Sequence, residues 1–135
     1  MITSTVEYNG DLRATATHVR SGESIFTDAP IDNHGKGMAF SPTDLLATSL
    51  ASCALTTIAI LGKSKNINID GAKADVVKHM ASDPRRVTKV EIIFQMPTNK
   101  SYTPEEKDFI IRTIDNCPVA KSLHPDLIQA VEVKW

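Results

Sequence analysis

The feature that most constrains this fold is one long segment, from Ser41 to Gly62, that is apolar around almost its whole circumference. It opens with a serine suited to the N-cap, a proline suited to the first helical position and, at Asp44, the acid of a capping box. No other charged residue occurs before Lys63. A helix that is apolar on all sides is buried on all sides. We therefore expect a sheet to cover one side of this helix and a second subunit to cover the other.

The residues before this helix predict a small antiparallel meander. Alternating polar and apolar residues indicate strands over residues 2–8, 12–18 and 24–27, joined by turns at Asn9-Gly10 and Ser21-Gly22. The stretch 28–40, which has no periodicity and carries two glycines and a proline, predicts a loop that leads into the helix.

The residues after the helix predict further strands around a second capped helix. We expect a strand over residues 67–80 with a bulge at Val76-Val77, a turn over 83–86 and a strand over 90–96. Thr103-Pro104-Glu105-Glu106 predicts a second helix, which Cys117-Pro118 interrupts before a short helical piece over 119–123. A final strand is expected over residues 127–135. The length of the chain fits a single domain over residues 1–135.

Composition excludes several classes of function. The chain has 135 residues, 15 basic and 16 acidic side chains and a formal net charge of -1. This balance lacks the basic surface that nucleic acid attracts, and one Trp, two Tyr and four Phe offer few stacking platforms. No apolar run approaches the roughly 20 residues of a membrane span, and the polar start does not resemble a signal peptide. We expect a cytoplasmic protein that binds neither nucleic acid nor membrane.

The two cysteines, Cys53 and Cys117, lie far apart in the chain and cannot form a tetrahedral zinc site by themselves. Cys53 shares a helical stripe with Leu46 and Leu50, and Cys117 shares one with Ile110 and Ile114, so each thiol points toward apolar surroundings. Two interpretations stay open from this pattern alone. Both thiols are inert core residues, or they face each other and form one redox couple.

A reactive Cys53 would need a group that stabilises its thiolate, because apolar surroundings raise a thiol pKa. Cys53 lies about three turns inside its helix, where the helix dipole has little effect. Asp44 lies on the opposite side of the helix. The sequence therefore points to a cation from another segment, with Arg13 and Arg20 on the predicted meander as candidates.

Three segments together resemble the OsmC/Ohr family: SPTDLLATSLASCALTTIAI around Cys53, the preceding TDAPIDNHGKG, and DNCPVAKSL around Cys117. The resemblance extends from about residue 12 to the C-terminus. It implies an α+β fold in which antiparallel sheets wrap around long central helices in an intertwined homodimer. It also implies a thiol peroxidase that reduces organic hydroperoxides and needs no cofactor.

The resemblance further implies roles for individual residues. Cys53 would be the peroxidatic thiol and Cys117 the resolving thiol, and a lipoylated or thioredoxin-like dithiol would reopen the resulting disulfide. The family's active-site arginine precedes an R-x-G turn, which selects Arg20, before Ser21-Gly22, over Arg13. Apolar walls would favour alkyl or lipid hydroperoxides over hydrogen peroxide, and the residues expected to supply them are Leu46, Leu50 and Ile114.

The sequence departs from the Ohr branch at one position. Thr43 stands where that branch carries a glutamate that pairs with the arginine, and Asp44, one place later, is expected to cap the helix. The loop and the SPTDLL motif resemble the OsmC-like branch instead, and His34 is expected to be a solvated loop residue. Two alternatives to the peroxidase therefore stay open: a non-enzymatic protein that binds a small hydrophobic ligand, and a redox sensor that oxidises once.

Overall fold

Two three-stranded sheets and two long helices form the mixed α+β structure, a computed structural model that describes residues Met1–Trp135. By its internal contacts the chain divides into two compact units, Met1–Leu46 and Ala47–Trp135. The strands and helices in chain order are β1 (Ser4–Gly10), β2 (Arg13–His18), β3 (Ser24–Asp28), α1 (Pro42–Gly62), β4 (Lys73–Ala81), β5 (Arg86–Gln95), α2 (Pro104–Asn116), α3 (Pro118–Ser122) and β6 (Ile128–Lys134).

The first unit contains the predicted antiparallel meander, in the order β1-β2-β3. Its first turn differs from the expectation, because Asn9 and Gly10 end strand β1 and the turn lies at Asp11-Leu12. Both turn residues have positive φ, 53° and 62°. Contacts from elsewhere hold this turn in place, since the Leu12 N–H donates to the Tyr8 hydroxyl and the Leu12 carbonyl accepts from the Ala29 N–H.

A buried carboxylate organises the loop that follows β3. Asp28 accepts two hydrogen bonds from the Arg13 guanidinium, at 2.7 and 2.9 Å, and one from the Met38 N–H at 3.2 Å. Its own N–H donates to the Phe40 carbonyl. The Arg13 hydrogen bond lowers the pKa of Asp28 below its usual value although burial opposes the change. Asp28 therefore ties the two ends of the loop together.

The first unit has almost no apolar core of its own. Only Asp28 and Ser41 are buried between Met1 and Leu46. Large apolar side chains of the sheet are exposed instead, with Val6 at 70% and Tyr8 at 67% of their full accessible area. A three-stranded sheet gains its stability by burying one face, so this sheet needs a covering surface.

Helix α1 begins and ends as the sequence predicts. Ser41 Oγ accepts from the Asp44 N–H at 3.0 Å, and Asp44 Oδ2 accepts from the Ser41 N–H at 2.9 Å, which completes the capping box. One stripe is buried, consisting of Ala47, Leu50, Ala51, Ala54, Ile58 and Gly62. Away from this stripe, apolar residues remain in contact with solvent, and Ile60 is 70% exposed.

The expectation that no segment has the length and apolar character of a membrane span is wrong. The continuous helix Pro42–Lys65 has 24 residues and a mean hydropathy of 1.9, enough by length and composition alone to cross a membrane. Buried core helices of soluble proteins have the same properties. Within this chain, 33% of the most apolar 18-residue stretch of the helix is buried.

The second unit holds the hydrophobic core. Val90, Ile92 and Phe94 alternate along β5, and all three are buried on the same face of the sheet. This sheet has the order β4-β5-β6, and β6 runs parallel to β5, so the expectation of purely antiparallel sheets is wrong for this half. The parallel pairing follows from the connection, because α2 and α3 carry the chain from the end of β5 back to its start.

Strand β4 also differs from the expectation. It begins at Lys73 rather than at residue 67, and Gly71 just before it has φ +92°, a conformation that ends an extended run. Its irregular pairing lies between His79 and Met80 rather than at Val76-Val77.

Helix α2 has the capping box that its sequence predicts. Thr103 Oγ1 accepts from the Glu106 N–H at 3.2 Å, and Glu106 Oε2 accepts from the Thr103 N–H at 2.9 Å. The helix ends at Asn116, and Cys117 is extended, with φ -64° and ψ 152°. Such angles are expected for a residue that precedes proline. The predicted break before α3 is therefore confirmed.

Candidate active site

Cys53 and Cys117 are brought together within the second unit. Cys53 lies on α1, about three turns from its start, and its side chain is partly exposed. Cys117 lies between α2 and α3 and is fully buried. Both cysteines are free, and they lie close enough that each thiol shifts the pKa of the other. The two thiols that the sequence places far apart therefore form one pair.

The surroundings of the pair make Cys53 the more acidic thiol. Burial raises the pKa of Cys53, but hydrogen bonds from the Val119 N–H, the Thr57 hydroxyl and the Cys117 thiol together bring that pKa below the ordinary value. Hydrogen-bond donors near a sulfur favour its thiolate form. Cys53 is therefore the thiol that ionises first.

The opposite holds for Cys117. Burial raises its pKa, and the hydrogen bond and charge of Cys53 raise it further, although the N–H groups of Ala120 and Val119 partly oppose this. Cys117 is therefore the thiol that keeps its proton while Cys53 carries the charge. This asymmetry gives the pair a nucleophile and a protonated neighbour.

The proline after Cys117 builds this arrangement. Because Cys117 is extended, α2 ends there and α3 begins immediately, with the Lys121 N–H donating to the Cys117 carbonyl at 3.1 Å. The first N–H groups of a helix have no partner within the helix. One of them, that of Val119, helps to lower the pKa of Cys53. The cysteine-proline step thus presents both the second thiol and a backbone donor to Cys53.

The three residues expected to form the apolar walls differ in their burial and in the unit to which they belong. Leu50 and Ile114 are buried in the same hydrophobic cluster as Cys117, and Cys53 packs against this cluster. Leu46 is half-buried and belongs to the first unit. That these three residues line a substrate pocket stays a prediction.

The arginine candidates both lie in the first unit. Arg13 is held by Asp28 and stacks over the Phe26 ring at 5.4 Å, whereas Arg20 lies in the exposed turn that follows β2. The assignment of Arg20 to the Cys53 thiolate stays a prediction, as does the choice between the two arginines. The groups that lower the Cys53 pKa in this structure are neutral donors.

Three further residues from the sequence analysis are placed by the structure. Asp44 caps α1 as expected, and the Thr43 hydroxyl lies 3.1 Å from the Ser41 hydroxyl at the same helix start. His34 is exposed in the loop before α1, also as expected.

Sequence reasoning missed two groups that act on Cys53. Thr57 lies one helical turn after Cys53, and the helical spacing places it on the same stripe, but the sequence analysis assigned it no role. The Val119 N–H could not be found in this way, because the sequence does not tell which backbone segment lies beside Cys53.

Comparison with known proteins gives one family. The sequence profile of the family described as OsmC-like protein matches residues 34–130. A solved structure from Psychrobacter arcticus, described as a candidate osmotic stress induced and detoxification response protein, shares 51% identity with this chain at a TM-score of 0.94. The match covers 99% of this chain and 96% of that chain. No match is found among curated protein sequences.

More distant structures have the same fold. An OsmC-like protein of unknown function from Vibrio cholerae has a TM-score of 0.80 at 14% identity, over 99% of this chain and 100% of that chain. An organic hydroperoxide resistance protein, OsmC, from Legionella pneumophila has a TM-score of 0.72 at 15% identity, over 100% of this chain and 98% of that chain. At these identities the likeness concerns the fold alone.

Proposed function

The chain belongs to the OsmC-like protein family, and from this premise we propose that it is a cysteine-based peroxidase that reduces organic hydroperoxides to alcohols. The observation that carries the proposal is that Cys53 packs against the cluster that contains Cys117, with both thiols free, the pKa of Cys53 lowered and the pKa of Cys117 raised. Relatives of the same fold named as organic hydroperoxide resistance proteins support the substrate class.

The proposed first step takes place at Cys53. Its thiolate attacks the distal oxygen of the hydroperoxide, so that a sulfur–oxygen bond forms as the oxygen–oxygen bond breaks. The leaving alkoxide takes a proton from water and departs as the alcohol. Cys53 is then a sulfenic acid, oxidised by two electrons, and the peroxide has been reduced by two.

The proposed second step joins the two cysteines. The Cys117 sulfur attacks the Cys53 sulfenic acid, a disulfide forms and water leaves with the former thiol proton. An external dithiol, lipoylated or thioredoxin-like, then reduces the disulfide by exchange and returns both thiols. In the cytoplasm, where we place the protein, such reductants keep the pair in its working state.

Two further parts of the proposal concern substrate and charge. We assign the apolar walls of the site to Leu46, Leu50 and Ile114, which would favour alkyl or lipid hydroperoxides. We assign the positive charge beside the thiolate to Arg20, with Arg13 as the alternative.

We propose that the protein acts as a homodimer. The apolar side chains that remain exposed on the first sheet and on α1, such as Val6, Tyr8 and Ile60, need a covering surface, and a second copy of the chain supplies matching apolar area. The composition of α1, apolar all round, fits a helix that is covered on both sides.

The test is the number of equivalents of cumene hydroperoxide that the reduced protein consumes in the presence of excess dithiol. We expect many equivalents per chain, measured against buffer with dithiol alone. Consumption of only about one equivalent would instead identify a redox sensor. No consumption at all would favour the non-enzymatic binding protein, for which Thr43 in place of the Ohr glutamate is the supporting observation.

A further inference from the structure

Thr57 is the side chain that contacts Cys53 from one helical turn further along α1. Its hydroxyl donates to the Cys53 carbonyl at 2.7 Å, and the same oxygen lies 3.9 Å from the Cys53 sulfur. Both side chains are partly buried. A hydroxyl has one proton to donate, so it can serve the carbonyl or the sulfur, but not both at once.

We propose that Thr57 is a positioning residue whose hydroxyl turns from the Cys53 carbonyl to the Cys53 sulfur when that thiol ionises. This inference rests on the proposed function, since it concerns the thiolate that would attack the peroxide. While Cys53 is a thiol, its sulfur needs no donor and the hydroxyl serves the carbonyl. Once the proton has left to solvent, the sulfur is a charged acceptor, and a charge-assisted hydrogen bond is the stronger of the two.

The change of acceptor by the Thr57 hydroxyl needs little movement. Rotation about the carbon–oxygen bond of Thr57 redirects the hydrogen, and a small shift of the side chain shortens the 3.9 Å distance to the sulfur. The Cys53 carbonyl keeps a partner, because it accepts the regular backbone hydrogen bond of α1 and lies 3.1 Å from the Thr56 hydroxyl. The Cys53 carbonyl is therefore not left without a hydrogen-bond partner when the Thr57 hydroxyl turns to the sulfur.

Thr57 also differs from the other donors around the sulfur. The Cys117 thiol proton is lost when Cys117 attacks Cys53 in the proposed second step, and the Val119 N–H has a fixed direction. The Thr57 hydroxyl alone is both rotatable and retained through the cycle. It would therefore restore the thiolate each time the disulfide is reduced.

The experiment measures the rate at which iodoacetamide alkylates Cys53 in the full-length reduced chain as a function of pH, with the site identified by peptide mass. Thr57→Val keeps the shape of the side chain and removes the hydroxyl. Near neutral pH we expect alkylation to be about three- to tenfold slower, with the midpoint of the profile at higher pH. Thr57→Ala, which also lacks the hydroxyl, should move in the same direction.

Two controls separate this role from a structural one. Thr57→Ser keeps the hydroxyl and should stay close to the wild-type profile. Thr56→Val removes a hydroxyl that bonds the same carbonyl without bonding the sulfur, and it should also stay close to wild type. An unchanged profile in both Thr57→Val and Thr57→Ala, or an equal shift in Thr56→Val, would overturn the proposal. Because alkylation needs no peroxide, failure of the peroxidase function would be seen separately in the turnover assay.

Discussion

Replacement of Cys53 by serine is expected to abolish hydroperoxide consumption, to the level of buffer and dithiol alone. A serine hydroxyl does not ionise near neutral pH, so the variant has no nucleophile for the peroxide oxygen. The measurement is cumene hydroperoxide consumed over time, at equal concentrations of wild-type and variant chains.

The matched variant for this experiment is Cys117→Ser. It keeps Cys53 and, without added dithiol, should consume about one equivalent, after which Cys53 remains as a sulfenic acid or a higher oxide. In the wild type, the rate should rise with pH as Cys53 ionises, with a midpoint below that of an ordinary cysteine, because the pKa of Cys53 is lowered. Full activity in Cys53→Ser would show that the chemistry lies elsewhere.

A carboxylate placed on the exposed side of α1 is expected to break the proposed dimer. Ile60 is 70% exposed in the single chain, so Ile60→Asp would cost little if the chain acted alone. If a second copy covers this side, the substitution buries a polar group without a partner, which costs about 2–7 kcal/mol. Such a cost raises the dimer dissociation constant at least about 30-fold.

The measurement is the mass in solution by sedimentation at several concentrations, with 14.7 kDa as the mass of one chain. Wild type should sediment as two chains, and Ile60→Asp as one. Ile111→Asp is the control, because Ile111 is exposed on α2 beside the ion pair of Asp108 and Arg112, a surface suited to water. A wild-type monomer, or a dimer that Ile60→Asp leaves intact, would contradict the proposed assembly.

The sequence was sufficient to predict the parts of the fold that depend on local chemistry. Both capping boxes, at Ser41-Asp44 and Thr103-Glu106, lie where their motifs place them, because a cap is specified by residues within one turn. The break at Cys117-Pro118 is equally local, since proline restricts the residue before it.

The predictions that the structure contradicts depend on contacts between distant segments. In the first hairpin the turn lies at Asp11-Leu12, where the Leu12 carbonyl accepts from the Ala29 N–H, and a local turn signal carries no information about that partner. The parallel pairing of β6 follows from the path of the chain through α2 and α3, which periodicity does not record. The helical periodicity predicted apolar surroundings for each thiol. It did not predict which backbone N–H would lie near Cys53.

The central claim is that Cys53 and Cys117 form one redox couple, and intact mass tests it most directly. Reduced wild-type protein is treated with one equivalent of an organic hydroperoxide, quenched and weighed, and its peptides are mapped. We predict a loss of two hydrogens and a cross-linked peptide that contains both cysteines. An unchanged mass, or added oxygen without a link between Cys53 and Cys117, would contradict the account.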